Sequence, residues 1–202
     1  MRNSGFTLIE LIISLGIISI IISIVLFGQS TYLESTTVTN LVDEVATTVV
    51  QAQTYGIAVR ELSPGSSNFS ASYGISFSIL GSGSAYSYLF FADRNNNNIY
   101  DGDWNCIQGG LSECLEKKII TRGNLISDVC IIRNDGSENC NESRRADILF
   151  RRPNPEPVIN IFSTFGTIIN DSNRIGVRIK FRSTGGQIRS VSILSSGQVS
   201  VN

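Results

Sequence analysis

Histidine is absent from the 202-residue chain. That removes the commonest general base and the commonest metal ligand together. No Ser-His-Asp or Cys-His centre can be assembled, nor an HExxH zinc site, and the expectation is a protein that is not an enzyme. Charge is also scarce, at 16% of residues against about 25% in ordinary soluble domains. The shortfall is local: from Phe6 to Phe27 the only charged residue is Glu10. A net charge of -1 argues against a generic binder of polyanions. The four cysteines, Cys106, Cys114, Cys130 and Cys140, form no CxxC pair, which disfavours zinc-finger and thioredoxin-like readings.

What is present begins at the N-terminus. Met1–Gly5 is a short polar leader with Arg2, and an apolar run from Phe6 to Phe27 follows it. At 1.5 Å per residue the run is long enough to cross a hydrocarbon core of about 30 Å. A secretory signal has a shorter apolar stretch and its small-residue cleavage site after that stretch; here the small residue, Gly5, stands before it. Arg2 favours a cytoplasmic N-terminus. Glu10 is a carboxylate inside a membrane span, which costs a few kcal/mol and calls for a partner.

Gly5-Phe6-Thr7-Leu8-Ile9-Glu10 resembles the prepilin cleavage motif of type IV pilins, minor pilins and type II secretion pseudopilins. The resemblance implies cleavage by prepilin peptidase after Gly5, N-methylation of Phe6, and assembly in which Glu10 neutralises the Phe6 amine of a neighbouring subunit. It implies other pilin or pseudopilin subunits as partners. It also implies a single-pass anchor in the inner membrane, with the C-terminal domain outside the cytoplasm and later in an extracytoplasmic filament. The alternative is a plain anchor that happens to contain a glutamate. Family major pilins carry a proline near the position of Phe27; Phe27-Gly28 stands here instead, so a kink at that depth is not expected.

Beyond Gly28 the pattern stays helical, with Leu41, Val42, Val45, Val49, Ala52 and Tyr55 on one stripe, until Gly56 interrupts it and Ser63-Pro64-Gly65-Ser66-Ser67 ends it. The division expected is a leader over 1–5, a transmembrane half-helix over 6–28, an amphipathic half over 29–61 and a β-rich domain over 62–202. The domain reads as short strands near 73–79, 86–92, 118–121, 128–132, 147–151, 158–162, 174–181 and 187–193, with a closing segment at 199–201. The fold class is α+β: one long helix laid on antiparallel sheets. Within the family this layout is most similar to H-type pseudopilins and FimT-like minor pilins.

Three constellations in the domain carry candidate chemistry. An even cysteine count behind an export segment favours disulfides. Neighbour pairing, Cys106 with Cys114 and Cys130 with Cys140, is the simplest, although four cysteines allow three connectivities. The alternative is four buried thiols in a reducing compartment. Asp93, Asn95, Asn97, the Ile99 carbonyl and Asp101 fall at the alternate spacing of a calcium loop, with Asp103 as a substitute for the absent twelfth-position glutamate. Some pseudopilins carry structural calcium, so the resemblance makes that ion a candidate; the alternative is an Asn-rich turn closed by side-chain to backbone bonds. On 174–182, Arg174, Arg178, Lys180 and Arg182 alternate with apolar residues, and a hairpin at Gly185-Gly186 adds Arg189. Such a cationic row suits phosphate, and by resemblance to DNA-uptake minor pilins it makes DNA a candidate partner. The alternative is a solvated strand paired to acids such as Asp171 or Glu156. Residues 151–157, rich in proline, read as an extended crossing between two sheets, and Trp104 as core.

Overall fold

The computed structural model describes residues 7–58, 71–81, 84–107 and 112–202, and of 27–32 the backbone alone. Helix α1 spans Leu8–Ile57, 50 residues, or about 75 Å at 1.5 Å per residue. It runs unbroken through positions 27 and 28. Its second half buries Val38, Leu41, Val42, Val45, Val49 and Ala52, the three- and four-residue spacing that lines up one helical face. Each of the buried valines and the leucine contributes about 1.5–3 kcal/mol, and the Ala52 methyl about 0.8 kcal/mol.

Ten strands follow among the described residues: β1 Ser72–Ser78, β2 Ser87–Asp93, β3 Cys114–Ile119, β4 Leu125–Arg133, β5 Glu138–Asn139, β6 Ser143–Arg151, β7 Asn154–Ser163, β8 Arg174–Arg182, β9 Ile188–Leu194 and β10 Val199–Val201. They make two five-stranded sheets, β3-β2-β1-β6-β7 and β10-β9-β8-β4-β5, with every pairing antiparallel. The α+β expectation holds. The helix lies on both sheets, touching β1 and β6 of the first and β9 and β10 of the second. The main core joins its stripe to Ile75, Phe77, Ile148 and Phe150 on one side and Val177, Ile179, Phe181 and Ile193 on the other.

The first sheet is covered on both faces at its centre: β1 and β2 are buried along their whole length. Its second face carries a smaller core of Leu89, Phe91, Leu149, Tyr100 and Cys114, with Trp104 and Cys106 packed against it. The segment between β2 and β3 therefore covers a sheet face that would otherwise be wet. Trp104, expected as core, is half-buried against this cluster and donates its indole N–H to Ser87 Oγ at 3.3 Å.

Two expectations are corrected. Residues 151–157 do not cross between sheets. They turn from β6 into β7 within the first sheet, with a cis peptide at Arg152–Pro153. Pro155 and Pro157 then sit in the edge strand β7, where a missing N–H loses fewer ladder bonds. Gly56 does not interrupt the stripe; it is buried inside the helix, and residues 63–67, expected to end it, lie outside the described residues. A Cβ there would fall 2.4 Å from the carbonyl oxygen of Phe150, so glycine is what lets the helix approach β6. The short strand β5 was not foreseen.

Candidate functional site

The N-terminal turn of α1 is built by four residues. Thr7 is the N-cap, in extended conformation. Its hydroxyl accepts the Glu10 N–H at 3.4 Å, while Glu10 Oε2 accepts the Thr7 N–H at 3.0 Å and the Thr7 hydroxyl at 2.9 Å. This reciprocal cap satisfies donors that a helix start leaves open. Glu10 thus has partners in its own chain, and its carboxylate remains exposed beside the helix N-terminus, where the helix dipole favours negative charge. Gly5 and Phe6, the expected processing residues, lie outside the described residues.

From Leu8 to Leu26 the helix is long and apolar enough to cross a membrane, and none of that stretch is buried inside the chain. Its hydroxyls are satisfied internally: Ser14 donates to the Glu10 carbonyl, Ser19 to Leu15 and Ser23 to Ser19, at 2.7, 2.9 and 2.8 Å. A lipid-facing helix needs such local bonds, because no water replaces them. The stretch therefore presents bare hydrocarbon, fit for lipid or for other helices.

The cysteines pair as neighbours, Cys106–Cys114 and Cys130–Cys140. Glu138 lies close to the second pair, but bonded sulfurs are no thiolate ligands.

The Asn-rich loop is closed by its own bonds. Asp93, buried at the end of β2, accepts the N–H of Asn97 at 3.2 Å and of Asn98 at 2.9 Å. Asp101 Oδ2 accepts both the Asn95 and Asn97 amides at 2.9 Å. Asn96 and Asn98 take positive φ, a conformation asparagine tolerates. Asp103 Oδ1 accepts the N–H of Asn105 at 3.0 Å, and Ile99 donates its N–H to Asn97 at 3.0 Å. Among the described residues no three carboxylates here bring oxygens within 4.8 Å of one another. The arrangement is that of a self-closed turn, whose asparagine amides would have to turn their oxygens inward to take calcium.

Two acids outside that candidate set anchor the loop to the sheet. Asp147, fully buried on β6, accepts the Ser76 hydroxyl at 2.6 Å and the Tyr100 N–H at 2.9 Å, and pairs with Arg145 at 2.5 Å. Arg145 also donates to the Tyr100 carbonyl and lies 4.5 Å over the Phe162 ring. Glu113, 3% exposed, accepts the N–H of Arg94 at 3.2 Å and of Asp101 at 3.3 Å. Burial is the main cause that pushes its carboxyl up to about 7. Asp147 thus ties Tyr100 to β6, and Glu113, just before β3, ties Arg94 and Asp101 together.

The five cations proposed for DNA do not form one free face. Arg178 pairs with Glu138 and donates to Ser192 Oγ at 2.8 Å; Lys180 reaches the other Glu138 oxygen at 3.1 Å. Arg174 is half-buried beside Asp171, its pKa lowered by burial. Asp171 is itself taken by Arg133 at 2.7 Å, and Glu156 bonds Asn154. Of the acids foreseen as partners neither is the main one: Glu138, on the unforeseen strand β5, is. Arg189 stands opposite the inward-facing Phe181, so it points away from the face of Arg178 and Lys180. Arg182 and Arg189 are exposed.

Residues 1–26 match the prokaryotic N-terminal methylation motif. The match ends where the apolar span ends, and it marks a prepilin-type substrate. No curated protein and no solved structure matches the chain.

Proposed function

We propose that this chain is a non-enzymatic subunit of a type IV pilus or a type II secretion pseudopilus, cut by prepilin peptidase after Gly5 and assembled through α1. The carrying observation is the contrast within one continuous helix: 8–26 exposed along its length, and 38–52 locked into a double-sheet domain. A rod of that kind holds a folded domain outside the membrane while leaving an apolar segment for lateral packing. A minor, rather than major, subunit is the finer reading. The H-type pseudopilin and FimT-like likeness rests on the helix-plus-β layout and the closing Gly197-Gln198-Val199-Ser200-Val201 segment. The DNA-uptake alternative has less support, because Arg178 and Lys180 are engaged by Glu138.

Intact mass of the protein extracted from its host membranes tests the proposal. The expected product begins at methylated Phe6 and is lighter by two hydrogen atoms per disulfide. A mass that retains Met1–Gly5 with free thiols overturns it.

A further inference from the structure

The chain direction fixes which end of the domain lies nearest the membrane. Helix residues 34–41 meet the β3–β4 connection and the β8–β9 turn. Thr37, Asn40, Leu41 and Glu44 share a cleft with Ile119, Thr121, Arg122 and Asn124, and a Cβ on Gly185 would fall on the Glu34 carboxylate. The two loops touch each other, since a Cβ on Gly123 would lie 2.4 Å from Thr184. The far end of the helix instead meets Phe150 and Pro155, through Gly56 and Gln53.

From Leu26, the last residue of the span, to Glu34 is eight helical residues, a rise of about 12 Å. The headgroup layer occupies roughly 5–7 Å beyond the hydrocarbon on each side, and helices tilt by about 20° on average. Extended arginine side chains at this base therefore reach the headgroups. The base presents exposed Arg122, Arg182 and Arg189 with exposed Ile119 and Ile188. Among the described residues none of the three arginines is in a salt bridge. From the helix, Glu34 faces the β8–β9 turn and Glu44 lines the cleft beside Arg122. Arginines beside isolated isoleucines suit an anionic lipid interface, where cations meet phosphate and the apolar groups enter the headgroup boundary.

We infer that the membrane-proximal base of the domain, Arg122, Arg182, Arg189, Ile119 and Ile188, rests on anionic phospholipid headgroups while the subunit is held in the membrane. The inference rests on the anchor of the proposed function. It assigns Arg182 and Arg189 to lipid phosphate in place of DNA phosphate.

The test is hydrogen exchange of the full chain in nanodiscs of phosphatidylcholine alone or with phosphatidylglycerol. Amides of 119–125 and 182–189 are expected to exchange more slowly in the phosphatidylglycerol discs. The doubly reversed variant, Arg182→Glu with Arg189→Glu, is expected to lose that protection while exchange in β1 and β6 stays unchanged. Each arginine near an anionic surface strengthens contact about five-fold, so added salt is expected to erase the difference as well. Equal exchange in both discs, or protection at the base that appears only on adding DNA, overturns the inference and leaves the anchor standing. A chain that does not enter the discs overturns both.

Discussion

Gly56→Ala sets two opposed effects against each other. Alanine favours a helix by about 1 kcal/mol over glycine, so at an exposed position the change would stabilise. At Gly56 the new carbon would stand 2.4 Å from Phe150 O, 2.7 Å from Phe150 C and 2.7 Å from Phe150 Cβ. Two of those three atoms belong to the backbone of β6, a strand held on both sides by β1 and β7, and cannot swing aside as a side-chain tip would. The helix end must lift by several tenths of an ångström, disturbing Tyr55 against Tyr73 and Phe90. Overpacking of this kind costs about 1–3 kcal/mol, and rigid backbone places it at the upper end. The net expectation is destabilisation of about 1–2 kcal/mol, or roughly 3–8 °C in Tm for a domain of this size. The assay is thermal unfolding of the full chain in detergent, followed by near-UV circular dichroism. Gly16→Ala, with nothing within 4 Å, is the control and leaves the domain's Tm unchanged. A Gly56→Ala protein as stable as the parent would refute the close-approach account.

Glu113 predicts a pH dependence. Its carboxyl holds a proton up to about pH 7 in the fold, against an ordinary value of 4.5. The raised value means the folded state binds more protons between those limits, so stability is greatest below about 4.5 and falls as pH rises through 7. Glu113→Gln is expected to flatten that part of a Tm-against-pH curve and to melt higher than the parent at pH 8; an unchanged slope would remove the assignment. For the Asn-rich loop, a chelator is expected to leave Tm unchanged, because Asp93 and Asp101 already hold the turn. A fall in Tm that calcium alone reverses would show that Asn95 and Asn97 ligate the ion.

Much of the architecture was legible because it is periodic. The stripe Leu41, Val42, Val45, Val49, Ala52 announces a helix face, and the alternation over 174–182 announces a strand with one buried side. What was not legible depends on register and on long-range contact. The side of the sheet that receives Arg189 is set by the length of the 183–187 turn, and one residue reverses it. Asp147 and Glu113 read as ordinary surface acids until the loop from β2 to β3 is seen to cover the sheet. Glu138 escaped notice because its two-residue strand has no pattern to show. The Thr7–Glu10 cap, by contrast, was there to be read as T-x-x-E ahead of an apolar run.

That cap separates two roles of Glu10 that a truncation to alanine would merge. In lipid, neighbouring helices gain nothing from the hydrophobic effect, since acyl chains are as apolar as leucine. A carboxylate supplies what the apolar surface cannot, a polar group that gains by finding a partner. The hydrogen bonds from Thr7 both go to one carboxylate oxygen, Oε2, and leave the charge in place. Glutamine at position 10 keeps an oxygen that can accept from the Thr7 N–H and discards the charge; alanine discards both. If the charge pairs with a neighbour's Phe6 amine, Glu10→Gln and Glu10→Ala both lose filament assembly, while only Glu10→Ala speeds amide exchange in the first helical turn. If the carboxylate serves only to cap the helix, Glu10→Gln assembles like the parent. Sheared-filament yield and amide exchange of the membrane-held subunit, read on both variants, decide between the two.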